Sequence, residues 1–427
     1  MRNNMMNANK PTPFRRVVGP WVIGAVLAGT VAVMSTNPTF AADDKKKNTV
    51  SKDLAKGLKE ASDAVNAKKY SDALAKLKDL DANPKKTPYD QHIINELAGV
   101  AYAKTNNYPE ASKAFEAEIN DGFLDEKEIP GRVKIVAQVN YQLKNYDKAI
   151  EYGNRAIKGG YADEEMKTLV GQSYYLKGDY KGTLKYYDGL IDQQIKAGQA
   201  PKDEPMQLAL SACVKLDDSG CTTRELERLV EYHPKTEYWQ QLLYALRSTP
   251  NLSDKSTLQV YRLMSEVDVL KEPTDYTEMA QLAIEQGNPG EAQHILEKGF
   301  QKNVFADARS KDKNTRLLES AKKAAQTDLA SLPKVEKDAD ASTTGDKNVG
   351  VGLAYLGYQQ YDKATDQLNK GLTKGSVRNE AEAHLLLGIA QLKGGKKDDA
   401  VKSFKAVKGD PNLERLAELW SLHAKQA

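Results

Sequence analysis

Cysteine is nearly absent, with two in 427 residues. That excludes a disulfide-built scaffold and any zinc or iron–sulfur site made of several thiolates. Histidine is scarce as well. His92, His233, His294, His384 and His423 include no pair four residues apart, so no two imidazoles share a helix face as a helical zinc motif requires. Charge of one sign is also lacking, since Lys plus Arg is 62 and Asp plus Glu is 59. Arg2, Lys10, Arg15 and Arg16 precede residue 42 and no acid does, so without them the net charge goes from +3 to −1. A chain this close to neutral gives no electrostatic footprint for nucleic acid.

Catalytic motifs are missing too. No serine sits in a Gly-x-Ser-x-Gly elbow. Gly350-Val351-Gly352 imitates the start of a dinucleotide fingerprint, but Tyr355 stands where the third glycine belongs. Gly394-Gly395-Lys396-Lys397 resembles half a phosphate-binding loop, without the upstream glycine or the Ser/Thr after the lysine. Carboxylates are abundant, but no pair is singled out as general acid and base. No catalytic residue, metal site or cofactor is therefore expected.

One long apolar run exists. Val17 to Met34 follows Arg15-Arg16 and precedes Asn37-Pro38-Thr39-Phe40-Ala41-Ala42. A basic start, an apolar centre and a small-residue end describe a secretory signal peptide over 1–41, cut after Ala41 or, alternatively, after Ala42. An uncleaved membrane anchor is the competing reading, because 18 apolar residues can just span a bilayer. No cysteine follows the cut, which excludes a lipoprotein anchor. The expected location is the periplasm, with no stable membrane insertion after cleavage. Residues 42–53 read as a polar, solvated tail.

Beyond it, the chain repeats. An aromatic residue is followed by a small residue three later and a large apolar one four after that, as in Tyr108, Ala111 and Phe115, with Gly99 and Tyr102 upstream. The same offsets recur around Tyr180, Thr183 and Tyr187 with Gly171 and Tyr174, and around Tyr361, Ala364 and Leu368 with Gly352 and Tyr355. Shorter copies are Tyr70/Ala73/Leu77, Tyr146/Ala149, Pro289/Ala292/Leu296 and Lys397/Ala400/Phe404. The small residue falls at 73, 111, 149, 183, 222, 292, 364 and 400. Counting the two long gaps as double steps gives a period of about 36 and about ten units. Two units are degenerate, near 239–271 and 307–332. Spacings of three and four put these residues on facing sides of two helices. The turns carry Asn106-Asn107, Lys144-Asn145, Gly178-Asp179, Gly287-Asn288 and Gly394-Gly395. One helix pair cannot bury its apolar face alone, so the pairs must stack.

This pattern resembles the tetratricopeptide repeat family over about residues 54–408, at a somewhat longer period than usual. The segments 229–239, 292–299 and 384–390 are similar to those of secreted bacterial proteins of this kind. Ser219 and Lys397 depart from the pattern where an aromatic is expected. The resemblance implies an all-α solenoid of about ten helix-turn-helix units. Its parts would be the repeats over 54–332, degenerate near 239–332, a polar flexible linker over 333–348, a C-terminal repeat pair over 349–408 and a capping helix over 409–427 that covers the end of the stack.

Cys213 and Cys221 lie eight apart, across the turn Leu216-Asp-Asp-Ser-Gly220. A helical hairpin could bring them within bonding range, and an exported chain meets an oxidising compartment. A structural disulfide, unpaired thiols and a redox role are the three readings; the last lacks the Cys-x-x-Cys spacing of thiol oxidoreductases.

A solenoid offers a long face lined by first-helix residues not used in stacking. Registering each unit on its small packing residue puts Gln138, Tyr141, Gln172 and Tyr175 on that face, with Lys104 adjacent. Amide, phenol and ammonium groups suit an extended peptide, though ordinary solvated helix residues would look the same in sequence. The function expected is a non-catalytic periplasmic adapter for a protein or peptide of the cell envelope. The alternative is a structural subunit of an envelope energy-coupling, export or polysaccharide-secretion complex.

Overall fold

The computed structural model describes residues 48–250 and 252–426. The signal peptide expected over 1–41 and residues 42–47 of the polar tail lie outside the described residues. Among the described residues there are twenty helices and no strand. The chain divides into two compact units, one ending at Thr222 and one beginning at Thr223.

The first unit stacks helix pairs: α1 (Ala55–Asn66) with α2 (Tyr70–Asp81), α3 (Pro88–Lys104) with α4 (Tyr108–Asn120), α5 (Ile129–Gln142) with α6 (Tyr146–Lys158), and α7 (Glu164–Lys177) with α8 (Tyr180–Lys196). Then come α9 (Asp203–Lys215) and the start of α10 (Ser219–Tyr232), which runs on into the second unit. In α1/α2, α3/α4 and α7/α8 a glycine of the first helix receives a large residue of the second, while in α6 Gly153 receives Val170 of the next helix instead. A Cβ on Gly99 would stand 2.5 Å from Phe115 Cε1, and one on Gly171 would stand 2.3 Å from Tyr187 Oη. Phe115 and Tyr187 are 1% and 2% exposed. Burying each such side chain stabilises the stack by roughly 1.5–3 kcal/mol, and only a residue without a side chain leaves room for it. Ala73, Ala111, Ala149 and Thr183, the positions that set the period, are fully buried.

The turn inside each pair is equally regular. The residue two before the aromatic position takes a left-handed conformation in unit after unit: Lys68, Asn106, Lys144, Gly178 and Asp217 in the first unit, Gly287, Gln359 and Gly395 in the second, with φ between 54° and 82°. One residue there reverses the chain between antiparallel helices and ends the first helix.

The second unit contains α11 (Thr236–Arg247), α12 (Asp254–Glu266), α13 (Pro273–Glu285), α14 (Pro289–Gln301), α15 (Ala308–Asp340), α16 (Asp346–Gly357), α17 (Tyr361–Lys374), α18 (Glu380–Lys393), α19 (Lys397–Lys405) and α20 (Pro411–Gln426). Two sequence expectations are corrected here. The degenerate unit near 307–332 is no helix pair, and residues 333–340 of the expected flexible linker are not a linker. Both belong to the single 33-residue helix α15, which continues through Pro333. Asn314, Ala321, Ala325, Leu332 and Ala339 are buried on it at steps of seven, four, seven and seven residues, giving a narrow stripe along its length. Its polar remainder is anchored from both sides. Thr277 donates to Asn314 Oδ1 at 2.8 Å, Tyr358 to Asp328 Oδ2 at 2.7 Å and Tyr355 to Glu336 Oε2 at 2.5 Å. Lys374 caps the end, donating to the carbonyls of Ala339 and Asp340 at 2.9 Å.

The C-terminal pair is accordingly not set apart by a linker at 333–348. Gly357 of α16 approaches Asn288 at the start of α14 so closely that a Cβ would stand 2.0 Å from Asn288 Oδ1. The final helix, expected over 409–427 as a cover for the stack's end, does more than that. Trp420 is fully buried and stacks on Phe404 of α19 with ring centroids 6.0 Å apart. The other side of α20 meets the beginning of the same unit. Arg415 pairs with Glu227 at 2.5 Å, Gln426 donates to the Val230 carbonyl at 3.0 Å, and His423 meets the Trp239 ring edge-on at 6.2 Å. The helix α20 thus closes the second unit on itself.

Candidate functional site

The face proposed from sequence is built from the first helices α3, α5, α7 and α9 of the first unit. Gly99, Ala137, Gly171 and Leu210 occupy the equivalent packing position. One residue later come Val100, Gln138, Gln172 and Ser211, and four residues later Ala103, Tyr141, Tyr175 and Val214. The structure links these rows from helix to helix. Tyr141 donates to Gln172 Oε1 at 2.9 Å, and the Tyr175 hydroxyl lies 2.7 Å from Ser211 Oγ. Gln138, nearly buried, donates to Glu165 Oε1 at 2.7 Å.

Four of the five expected residues therefore lie in two adjacent rows of one face, but their polar groups are committed to the neighbouring helix. They hold consecutive repeats together as well as lining the face. Lys104 is exposed on the last turn of α3. Burial raises the Tyr141 phenol above its ordinary value, with help from Tyr146, so it remains a neutral donor through the physiological range.

Sequence reasoning missed the charged groups beside this row. Asp163 caps α7 by accepting the Met166 N–H at 2.8 Å, and it also receives Lys134 of α5 at 3.0 Å. Lys134 reaches Glu165 as well, at 3.1 Å. Burial works against its charge, but these two carboxylates hold the ammonium above the usual lysine range. Arg132 donates to Glu96 of α3 at 3.1 Å. The available signal was register: Glu96 and Lys134 stand three residues before the packing positions Gly99 and Ala137.

Apolar surface adjoins the polar row. Leu176 is 41% exposed and Val214 46%. The Tyr141 ring meets Tyr146 edge-on at 6.1 Å, and Tyr175 meets Tyr180 the same way at 5.4 Å. Half-buried phenols, an exposed leucine and an exposed valine thus follow one another at the C-terminal ends of α5, α7 and α9. Cys213 and Cys221 form a disulfide beside this strip, with Cα atoms 5.4 Å apart. It ties α9 to α10 in the unit where Ser219 replaces the aromatic.

Two family descriptions match the chain. Residues 352–414 match "Tetratricopeptide repeat", and residues 60–199 match "RNPP family C-terminal domain". The tetratricopeptide repeat match falls on α16 to α19 and the start of α20, and the repeated helix pairs make the fold an all-α repeat solenoid. No curated protein matches it in sequence. Similar solved structures include a tetratricopeptide repeat protein from Parabacteroides merdae, 12% identical, covering 70% of this chain and 99% of that one with a TM-score of 0.29. The C-terminal part of a repeat-containing protein from Cytophaga hutchinsonii is 15% identical, covering 63% and 98% with a TM-score of 0.32. The TPR2AB domain of yeast Sti1, solved as a complex with pHSP90, is 16% identical, covering 70% and 99% with a TM-score of 0.24. Among the described residues no helix is long and apolar enough to cross a membrane.

Proposed function

We propose that the protein is a non-catalytic adapter of the periplasm that holds a protein or peptide of the cell envelope on the first-helix face of its first unit. The observation that carries this reading is the pairing of two rows at one register. Exposed Val214 continues the line of Tyr141 and Tyr175, exposed Leu176 flanks it next to Tyr175, and the amide and hydroxyl groups of Gln138, Gln172 and Ser211 run beside it. An extended peptide presents the complementary pattern, with side chains for the apolar row and backbone groups for the polar one. Aromatic rings held by their neighbours add contact area at little entropic expense. Export rests on the basic, apolar and small-residue order of residues 1–41.

The test is in-cell crosslinking in the native bacterium followed by recovery of the protein and mass spectrometry. Leu176→Glu and Val214→Lys place charge on the apolar strip without touching a buried group. One dominant envelope partner, lost from the double variant while folding is retained, supports the adapter. Recovery of the protein alone, or a partner retained by the double variant, removes this face.

A further inference from the structure

A second cluster lies between α3 and α4, beside Arg132 of α5. His92 and Glu96 lie four residues apart on α3 and so share one face. Glu118 reaches them from α4. One ligand atom from each lies within 4.8 Å of the other two. His92 is 5% exposed, and Glu118 is fully buried.

The imidazole is already oriented. Its Nδ1 lies 2.9 Å from Asp121 Oδ2, and its ring sits 5.7 Å from both Tyr89 and Phe123. With Asp121 accepting from Nδ1–H, the lone pair is on Nε2. A carboxylate behind the imidazole is the usual support of a metal-binding histidine.

Glu118 is the unusual member. Arg132 Nη2 approaches its Oε1 to 2.9 Å, yet neither carboxylate oxygen accepts a hydrogen bond. The same Arg132 nitrogen donates to Glu96. One guanidinium thus faces Glu96 and Glu118, with Asp121 as a third acid behind the ring. Acids outnumber bases around this point, an excess of negative potential that a bound cation would lower. A buried carboxylate whose oxygens accept no hydrogen bond is costly, even beside a guanidinium, unless something else binds it.

We propose that His92 Nε2, Glu96 and Glu118 form a site for a divalent transition cation, zinc above all, with Asp121 as the positioning residue of the imidazole. One nitrogen and two carboxylate ligands match a three-ligand zinc site that leaves the fourth position to water. Calcium would need six to eight oxygen ligands, more than these residues offer. Bonds of about 2.0–2.2 Å would draw the two carboxylates together and away from Arg132.

The experiment is calorimetric titration of zinc chloride into the untagged, chelator-stripped full chain, with His92→Phe, Glu118→Gln and Asp121→Asn beside it. His92→Phe keeps an aromatic ring between Tyr89 and Phe123, and Glu118→Gln keeps the shape of the side chain. One zinc per chain is expected, weakened on the order of 100-fold by either ligand variant and roughly 10-fold by Asp121→Asn. Thermal unfolding in chelator shows whether the variants still fold. X-ray absorption at the zinc edge of the unaltered chain decides independently of them, with one imidazole and otherwise oxygen ligands expected. No stoichiometric zinc, affinity unchanged in both folded ligand variants, or a spectrum with two imidazoles or sulfur would each overturn the site.

Discussion

The Tyr141 hydroxyl donates a hydrogen bond to Gln172 Oε1, 2.9 Å away on the next first helix. Two residues that read in sequence as a pair of free contacts for a ligand are each other's partners. The consequence concerns stability as well as binding. Tyr141→Phe keeps the ring against Tyr146 and loses the bond, and should lower unfolding free energy by about 1 kcal/mol. A double-mutant cycle with Gln172→Ala in urea checks it, and strictly additive effects would show that the bond contributes nothing. Tyr141→Ala also removes the buried ring and should lower stability further, so binding losses in that variant cannot be read without a folding control.

Lys144 takes φ 59° in the turn between α5 and α6, a conformation that strains a residue bearing a Cβ by roughly 1–2 kcal/mol. Gly178 fills the same position one repeat later without that strain. Lys144→Gly should therefore stabilise the chain, by roughly 0.5–1 kcal/mol after the extra chain entropy of glycine is deducted. Chemical denaturation of the single variant measures it. A loss of stability would mean that the lysine side chain contributes more there than its backbone strain takes away.

These turns explain how much of the fold was legible. The period could be read because each repeat needs a small residue against a large one and a reversal at a fixed distance from both, and these demands select residue types. The site was legible only to the extent that it shares that register. Tyr141, Gln172 and Tyr175 were found by offset from the packing residue, but their mutual hydrogen bonds depend on side-chain length and helix spacing, which no offset encodes. His92 was set aside because no second histidine stands four away; Glu96 does, and Glu118 arrives only through the packing of α4 on α3. The misreading of 333–348 has a different cause. Its small and charged residues carry no helix signal of their own, and α15 persists there because Tyr355, Gln367 and Lys374 of later helices bind Glu336, Ala339 and Asp340.

Cys213 and Cys221 enclose a short loop in the turn between α9 and α10. Loop-closure entropy for so short a ring gives a contribution of about 2.5 kcal/mol. Replacing both by alanine should lower the urea midpoint of the first unit accordingly, and adding a reductant to the unaltered chain should reproduce the effect. A midpoint unmoved by either treatment would show that the remaining contacts hold this turn without the bond.

Acid should loosen the closure of the second unit by α20. Glu266 of α12 pairs with Lys393 of α18 and lies 3.8 Å from His423 of α20. Burial works against its charge, but His423 and Lys393 outweigh it and hold the carboxyl at about 2, below its ordinary 4.5. A carboxyl lowered on folding stabilises the folded state fully above the unfolded value, and that stability is lost as pH falls through the folded one. The window runs from about pH 4.5 down to 2, and the linked free energy is about 3 kcal/mol. The chain offers a built-in probe of this contact. Apart from Trp21 in the expected signal peptide, its tryptophans are Trp239 and Trp420, and His423 meets both rings edge-on. Tryptophan emission of the chain lacking residues 1–41 should shift to the red across that window. Glu266→Gln has no carboxyl to protonate, so its emission should already be shifted at neutral pH and its remaining acid response should be smaller. Equal titrations of the two proteins would place the acid sensitivity elsewhere and leave the closure by α20 to Trp420 packing and the Arg415–Glu227 pair.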